Sequence, residues 1–161
     1  MTIESRQLKV SRLQLRRYFV TQLNIIANPL FDVTKDVIQK ESDFCVNGEM
    51  SKNGEDPSLF QVKLNINIQP SPESNLPYSI VLEIVGIIKS AFTGTDEQIE
   101  RVVFVNGSTM VYSTAREIIR ASTSFGPYAQ LMLPSVAFSE PKKPNDGVVA
   151  TTPPPAFNPQ Q

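Results

Sequence analysis

With 161 residues, of which 40% are hydrophobic and 19% charged, the chain has the make-up of one ordinary globular domain and can bury a core without disulfide or metal staples. Its net charge of −1 supplies no field that would gather nucleic acid or an anionic membrane surface. Histidine is absent, which removes Ser-His-Asp and Cys-His nucleophile pairs and any imidazole metal site.

The first stretch, MTIESRQLKVSRLQLRR, mixes charges with isolated apolar residues and lacks the apolar run of a secretory signal or a membrane span, so a cytoplasmic protein is expected. Residues 1–10 read as a flexible N-terminus preceding a single domain over 11–139. Residues 13–26 are rich in apolar and aromatic side chains. Leu13 and Leu15 lie in one alternation phase and Tyr18 and Val20 in the other, which predicts a β-bulge at Arg16 or Arg17. Arg12, Arg16 and Arg17 read as a solvated strand face.

Residues 41–52 form a weaker second strand. Its Cys45 is the one cysteine, has no internal disulfide partner, and reads as a small buried apolar side chain. The segment SKNGEDP follows, with the Asn53-Gly54 turn signal. Over 58–69, Phe60, Val62, Leu64, Ile66 and Ile68 alternate with Gln61, Lys63, Asn65 and Asn67, the pattern of a strand with one buried face. The linker QPSPESNLP holds three prolines and predicts a loop longer than a tight hairpin. Over 78–92, Tyr78, Ile80, Leu82, Ile84 and Ile88 share one face, and Val81, Val85 and Ile87 make the other apolar too, so something must cover both sides.

After Gly94 the period becomes helical. Thr95-Asp96-Glu97 reads as an N-terminal cap with acids in the first turn, and Ile99, Val102 and Val103 predict a short helix. A second helix is expected from Ser108 or Thr109, carrying Val111, Ala115, Ile118, Ile119 and Ser122 along one stripe to Phe125-Gly126-Pro127. From Glu140 onward, proline and polar residues predict a disordered tail over 140–161. Strands first and helices last predict an α+β fold: a four-stranded antiparallel sheet with two C-terminal helices on one face. The acids Glu97, Glu100 and Glu117 are scattered, and no phosphate-cradling glycine loop occurs, so no catalytic constellation is found and no cofactor is implied.

Residues 106–138 carry a run of motifs in order: Asn106 followed by the Val111-Tyr112 step, then Ala115-Arg116-Glu117 opening a helix. Phe125-Gly126-Pro127 breaks it, and Gln130-Leu131-Met132-Leu133-Pro134-Ser135-Val136-Ala137-Phe138 follows. This region resembles the signature region of the SecB protein-export chaperones. The resemblance implies a sheet backed by helices, dimers joined into a tetramer with helices packed between them, and unfolded polypeptide held in apolar grooves without covalent chemistry. It places Val111, Ala115, Ile118 and Ile119 at an oligomer interface, with helix-on-sheet or interhelix core as the alternative, and Leu30, Phe31, Phe125, Tyr128, Leu131, Leu133 and Phe138 at a client-binding surface, with plain core packing as the alternative for each. Glu83 falls where the family has an acid on the face that docks the SecA motor. The other acids of that face are missing, since the end of the first strand reads Gln22, Leu23, Asn24, Ile25, Ile26. A dedicated client, such as the antitoxin of a toxin-antitoxin system, is therefore expected ahead of preproteins bound for SecA. A non-chaperone adaptor on the same fold is the further alternative.

Overall fold

The computed structural model describes residues 10–139; the expectations for residues 1–9 and for the tail from Glu140 lie outside them. Five elements follow in order: β1 (Leu13–Ala27), β2 (Phe44–Lys52), β3 (Leu59–Ile68), β4 (Tyr78–Ser90) and α1 (Asp96–Thr123), with a 3-10 turn at Glu41–Asp43 leading into β2. The strands form one sheet in the order β1-β4-β3-β2, every pair antiparallel.

The alternation along β3 and β4 turns directly into the core. Phe60, Val62, Leu64, Ile66 and Ile68 point to one side of the sheet, alongside Ile80, Leu82, Ile84 and Ile88, and all are buried. α1 lies over that side and contributes Val103, Val111, Ala115 and Ile119. Gly86 sets how closely helix and sheet approach: a Cβ there would come within 2.4 Å of Val111 Cγ2.

One helix stands where two were expected. It begins at a capping box, with the Gln98 amide donating to the Thr95 hydroxyl and the Thr95 amide to Gln98 Oε1. Asn106-Gly107-Ser108-Thr109, the expected break, stays helical for two physical reasons. Asn106 and Thr109 turn their side chains back onto the Val102 and Val105 carbonyls at 3.0 and 2.8 Å, where they cannot serve as caps. Gly107 faces the sheet, where a Cβ would meet Ile88 and Val62 at 3.3 Å. Packing overrides the helix-breaking tendency of glycine.

β1 has the bulge between Leu15 and Arg17 and a second between Val20 and Gln22. The first bulge restores phase, so that Leu15, Tyr18 and Val20 pair with Ile88, Gly86 and Ile84 on the helix side. Cys45 is exposed, against expectation: β2 is an edge strand, and its inward phase belongs to Phe44 and Val46. Asn53-Gly54 turns the chain through the Asn53 side chain, whose Oδ1 accepts from the Glu55 and Asp56 amides, with neither residue at positive φ.

Candidate functional site

Two segments outside the regular elements, 28–43 and 124–139, run beside the sheet and form an apolar rim. The first is pinned to the proline-rich turn. Asn75, at φ 48°, accepts from the Asp32 amide and donates to the Asp32 and Lys35 carbonyls, while the Ile38 amide donates to the Ser74 carbonyl. Asp32 in turn accepts from the Thr34 hydroxyl and amide, which hold its carboxyl below the ordinary aspartate range. The Lys40 ammonium lowers Glu73 in the same way on the far side of the turn.

The second segment has no ladder and is held by side chains. The Tyr78 hydroxyl accepts from the Tyr128 amide and lies 2.9 Å from the Tyr128 carbonyl. Thr123 Oγ1 accepts from the Leu131 amide at 2.9 Å, Arg116 Nε donates to the Leu133 carbonyl at 3.0 Å, and the Tyr112 hydroxyl donates to the Pro134 carbonyl at 2.8 Å. Burial raises the Tyr112 phenol, which keeps it a donor. These bonds place the expected client residues in two groups.

Phe31 and Tyr128 stack at 4.7 Å, and Tyr128 continues to Tyr78 at 5.8 Å. Beside them Leu30 and Phe125 are 83% and 90% exposed, which makes them the open anchors of the surface. Phe138 sits edge-on to Tyr112. Leu131 and Leu133 take the core alternative: both are buried, because Thr123 and Arg116 fix their backbone with the side chains turned inward. They anchor the rim and offer a client no surface in this structure. The oligomer stripe divides likewise. Val111, Ala115 and Ile119 are fully buried against their own sheet, the helix-on-sheet alternative, and Ile118 alone is half-buried.

Sequence reasoning passed over a groove of about 460 Å³ between β2 and the second rim segment. Phe44, Val46, Pro134, Val136 and Ala137 line it, with Gln39, Lys40, Glu41 and Ser135 at its margin. Phe44 and Val46 were visible as one phase of a strand, but nothing local indicated that 134–137 would lie beside them. Between groove and aromatic group, Ile38 and Met132 are both exposed, and Gln39 Nε2 donates to the Met132 carbonyl. The apolar surface therefore runs on from one to the other.

The opposite face of the sheet is more polar. Glu83 sits there between Lys63, at 2.8 Å, and the Thr21 hydroxyl, and those two partners lower its pKa in that order. Val85 is buried between its register neighbours Phe19 and Lys63, while Val81 and Ile87 are half-covered. Among the described residues no three His, Cys, Asp or Glu side chains are placed to hold a metal, and no helix is long and apolar enough to cross a membrane.

A family model described as SecB, preprotein translocase subunit SecB, matches residues 6–140. A solved structure of a SecB-like chaperone from Mycobacterium tuberculosis, in complex with a ChAD peptide from the HigA1 antitoxin, superposes with a TM-score of 0.51 at 14% identity. The match covers 78% of this chain and 88% of that one. A protein of unknown function from Streptococcus agalactiae superposes with a TM-score of 0.43 at 10% identity, over 76% of this chain and 96% of that one. No curated protein matches the sequence.

Proposed function

Since the chain belongs to the SecB family, we propose that it is a holdase whose apolar rim keeps one dedicated, aggregation-prone polypeptide unfolded, in the manner of an antitoxin chaperone. The observation that carries this reading is the rim itself. Leu30, Ile38, Phe125 and Met132 stand exposed beside the Phe31–Tyr128 stack and the Phe44–Val46 groove. Exposed apolar and aromatic side chains on loosely held backbone bind extended chains by area and adaptability, with no demand for reactive geometry. Client contacts are assigned to Leu30, Phe31, Phe125, Tyr128 and Phe138, joined by Phe44, Val46 and Val136.

The antitoxin class is supported by the Mycobacterium tuberculosis neighbour, whose bound peptide comes from an antitoxin. The altered motor face supports a dedicated client over SecA delivery: Glu83 is engaged by Lys63 and Thr21, and its partner across β1 is the neutral Gln22. Self-association would use the apolar surface left open on the helix side, Ile118 on α1 and Tyr18, Val20 and Leu23 on β1.

The test is suppression of aggregation. Purified protein should keep an unfolded antitoxin soluble at stoichiometric ratio, and Leu30→Asp/Phe125→Asp should abolish this while the circular dichroism spectrum stays unchanged. Loss of neither binding nor suppression in that variant would remove the rim as the client site. Recovery of SecA in a pulldown with high affinity would overturn the dedicated-client reading. Ile118→Asp should shift the assembly to a smaller species on size exclusion, since burying an unpaired charge at an interface costs about 3–5 kcal/mol; an unchanged elution volume would place the interface elsewhere.

A further inference from the structure

Both bulges of β1 act on the face of the sheet away from α1. A bulge sets two residues of one strand opposite one of its neighbour, so consecutive side chains share a face there. The second bulge shows the effect. Between Val20 and Gln22, Thr21 joins Gln22 opposite Glu83, and its hydroxyl donates to the Glu83 carboxylate. Lys63 holds the same carboxylate at 2.8 Å and stands opposite Glu49 in the β2–β3 register. The charges in this part of the face are answered from within it.

The first bulge has the reverse result. Arg16 joins Arg17 opposite Ile87, and the Arg16 guanidinium donates to the side chain of Gln14, the register partner of Lys89. Arg17 lies over the Phe19 ring at 5.8 Å. Three exposed cations, Arg16, Arg17 and Lys89, are thereby gathered at one end of the face, and none forms an ion pair with a described residue. Asp56 in the turn between β2 and β3 feels the Lys89 charge, but its carboxylate is engaged by the Ser58 hydroxyl and amide. Beside the cations the face is hollowed into a cleft of about 240 Å³, whose lining includes Leu59, Ile87, Ser51, Asn53 and Gln61. Leu59 is the register partner of Lys89, and Ile87 that of Arg17.

We infer that this end of the face docks a short acidic segment of a partner protein, with carboxylates on Arg16, Arg17 and Lys89 and a small apolar side chain in the cleft. Unanswered positive charge sets the sign of the partner. Guanidinium forks match carboxylates in geometry as well as in charge. The carboxamides of Asn53 and Gln61 carry both donors and acceptors, as a bound peptide backbone requires. A nucleic acid fits less well. Its phosphates continue in both directions, whereas Glu83 stands four residues beyond Ile87 on β4, about 13 Å along the strand, with Glu49 nearby on the same face. The Phe19 ring, on which a base would stack, has Arg17 over it instead. The Phe44–Val46 groove lies on the other side of the sheet, so this surface is separate from the proposed client site.

The experiment follows the fluorescence anisotropy of a short labelled peptide that alternates glutamate with alanine, titrated with the full-length chain. The peptide should bind, and more weakly as salt rises from low to physiological concentration. Arg17→Glu/Lys89→Glu should weaken binding ~10-fold or more, and Arg17→Gln/Lys89→Gln should weaken it to a lesser degree. Leu30→Asp/Phe125→Asp/Lys35→Glu makes the same change of net charge on the rim and should leave the affinity as it is. Circular dichroism checks that each variant is folded, and the glutamine pair stands in should the glutamate pair not be. An equal loss in the rim variant would overturn the inference, as would a parent chain that does not bind the peptide. So would displacement by single-stranded DNA of equal charge more readily than by unlabelled peptide, which would assign the surface to nucleic acid. No client enters the measurement, so failure of the holdase assay leaves this result untouched, and the reverse holds as well.

Discussion

Beneath α1, every inward side chain of β3 is buried by its neighbours on both sides, while along the rim Leu30 and Phe125 stand open and the backbone is held by a few side-chain bonds. The first region is stabilised by area: each buried branched side chain contributes about 1.5–3 kcal/mol, and none can leave alone. The second is stabilised by separate contacts of about 0.5–1.5 kcal/mol net, each of which can open without the others. The proposed holdase role would draw on both, a sheet that persists and a margin whose contacts can open separately.

The largest expected effect lies in the core. Leu64→Ala empties a fully buried site between β2, β4 and the helix and should lower global stability by about 2–5 kcal/mol, read as a shifted urea midpoint with an unchanged m-value. A change in m would mean that rim and core unfold separately already at equilibrium. Tyr78→Phe comes next, because the hydroxyl joins β4 to the Tyr128 backbone from inside the core. It should cost about 1–3 kcal/mol and speed exchange at Tyr128 and Leu131 before any strand amide. Gly126→Ala strikes the same contact from the other side, since its Cβ would fall 2.4 Å from the Tyr78 hydroxyl. Smaller again is Arg116→Gln, which removes the guanidinium donor to the Leu133 carbonyl at a cost of about 0.5–1.5 kcal/mol and should speed exchange of the neighbouring backbone amides without moving the strand amides.

The same division explains what could be read without coordinates. β3, β4, the first bulge of β1 and the Thr95 cap were legible because strand alternation and capping are local: a period of two tells which phase is inward wherever the strand ends up. The family signature carried the rest of the fold, including its chaperone class. For Leu131 and Leu133 core and client surface could not be told apart, because 131–133 has no ladder and its burial depends on Thr123 and Arg116, reaching it from a helix already placed. Cys45 failed for a related reason. Its phase on β2 was readable, but an edge position was not, and at an edge the outward phase meets solvent. Asn106-Gly107 misled in the other direction, since the glycine that signals a break in isolation packs here closely against Val62 and Ile88.

Acid provides the gentlest way to separate the two regions. Asp32 on the rim and Glu83 on the open sheet face both have folded pKa values below their ordinary ones, Asp32 chiefly through the Thr34 hydroxyl and Glu83 chiefly through Lys63. A depressed carboxyl contributes stability that is fully present above its unfolded pKa, and that is lost as pH falls through the folded value. For both groups the loss therefore begins below about pH 4–4.5. The consequences differ. Protonated Asp32 accepts more weakly from the Thr34 amide, whose exchange should rise with acid relative to its intrinsic rate, and Asp32→Asn should flatten that dependence. Protonated Glu83 releases Lys63, but the β4 amides remain in ladders with β1 and β3, so their protection should not follow the carboxyl. Parallel loss at Thr34 and along β4 would show that rim and sheet open as one unit.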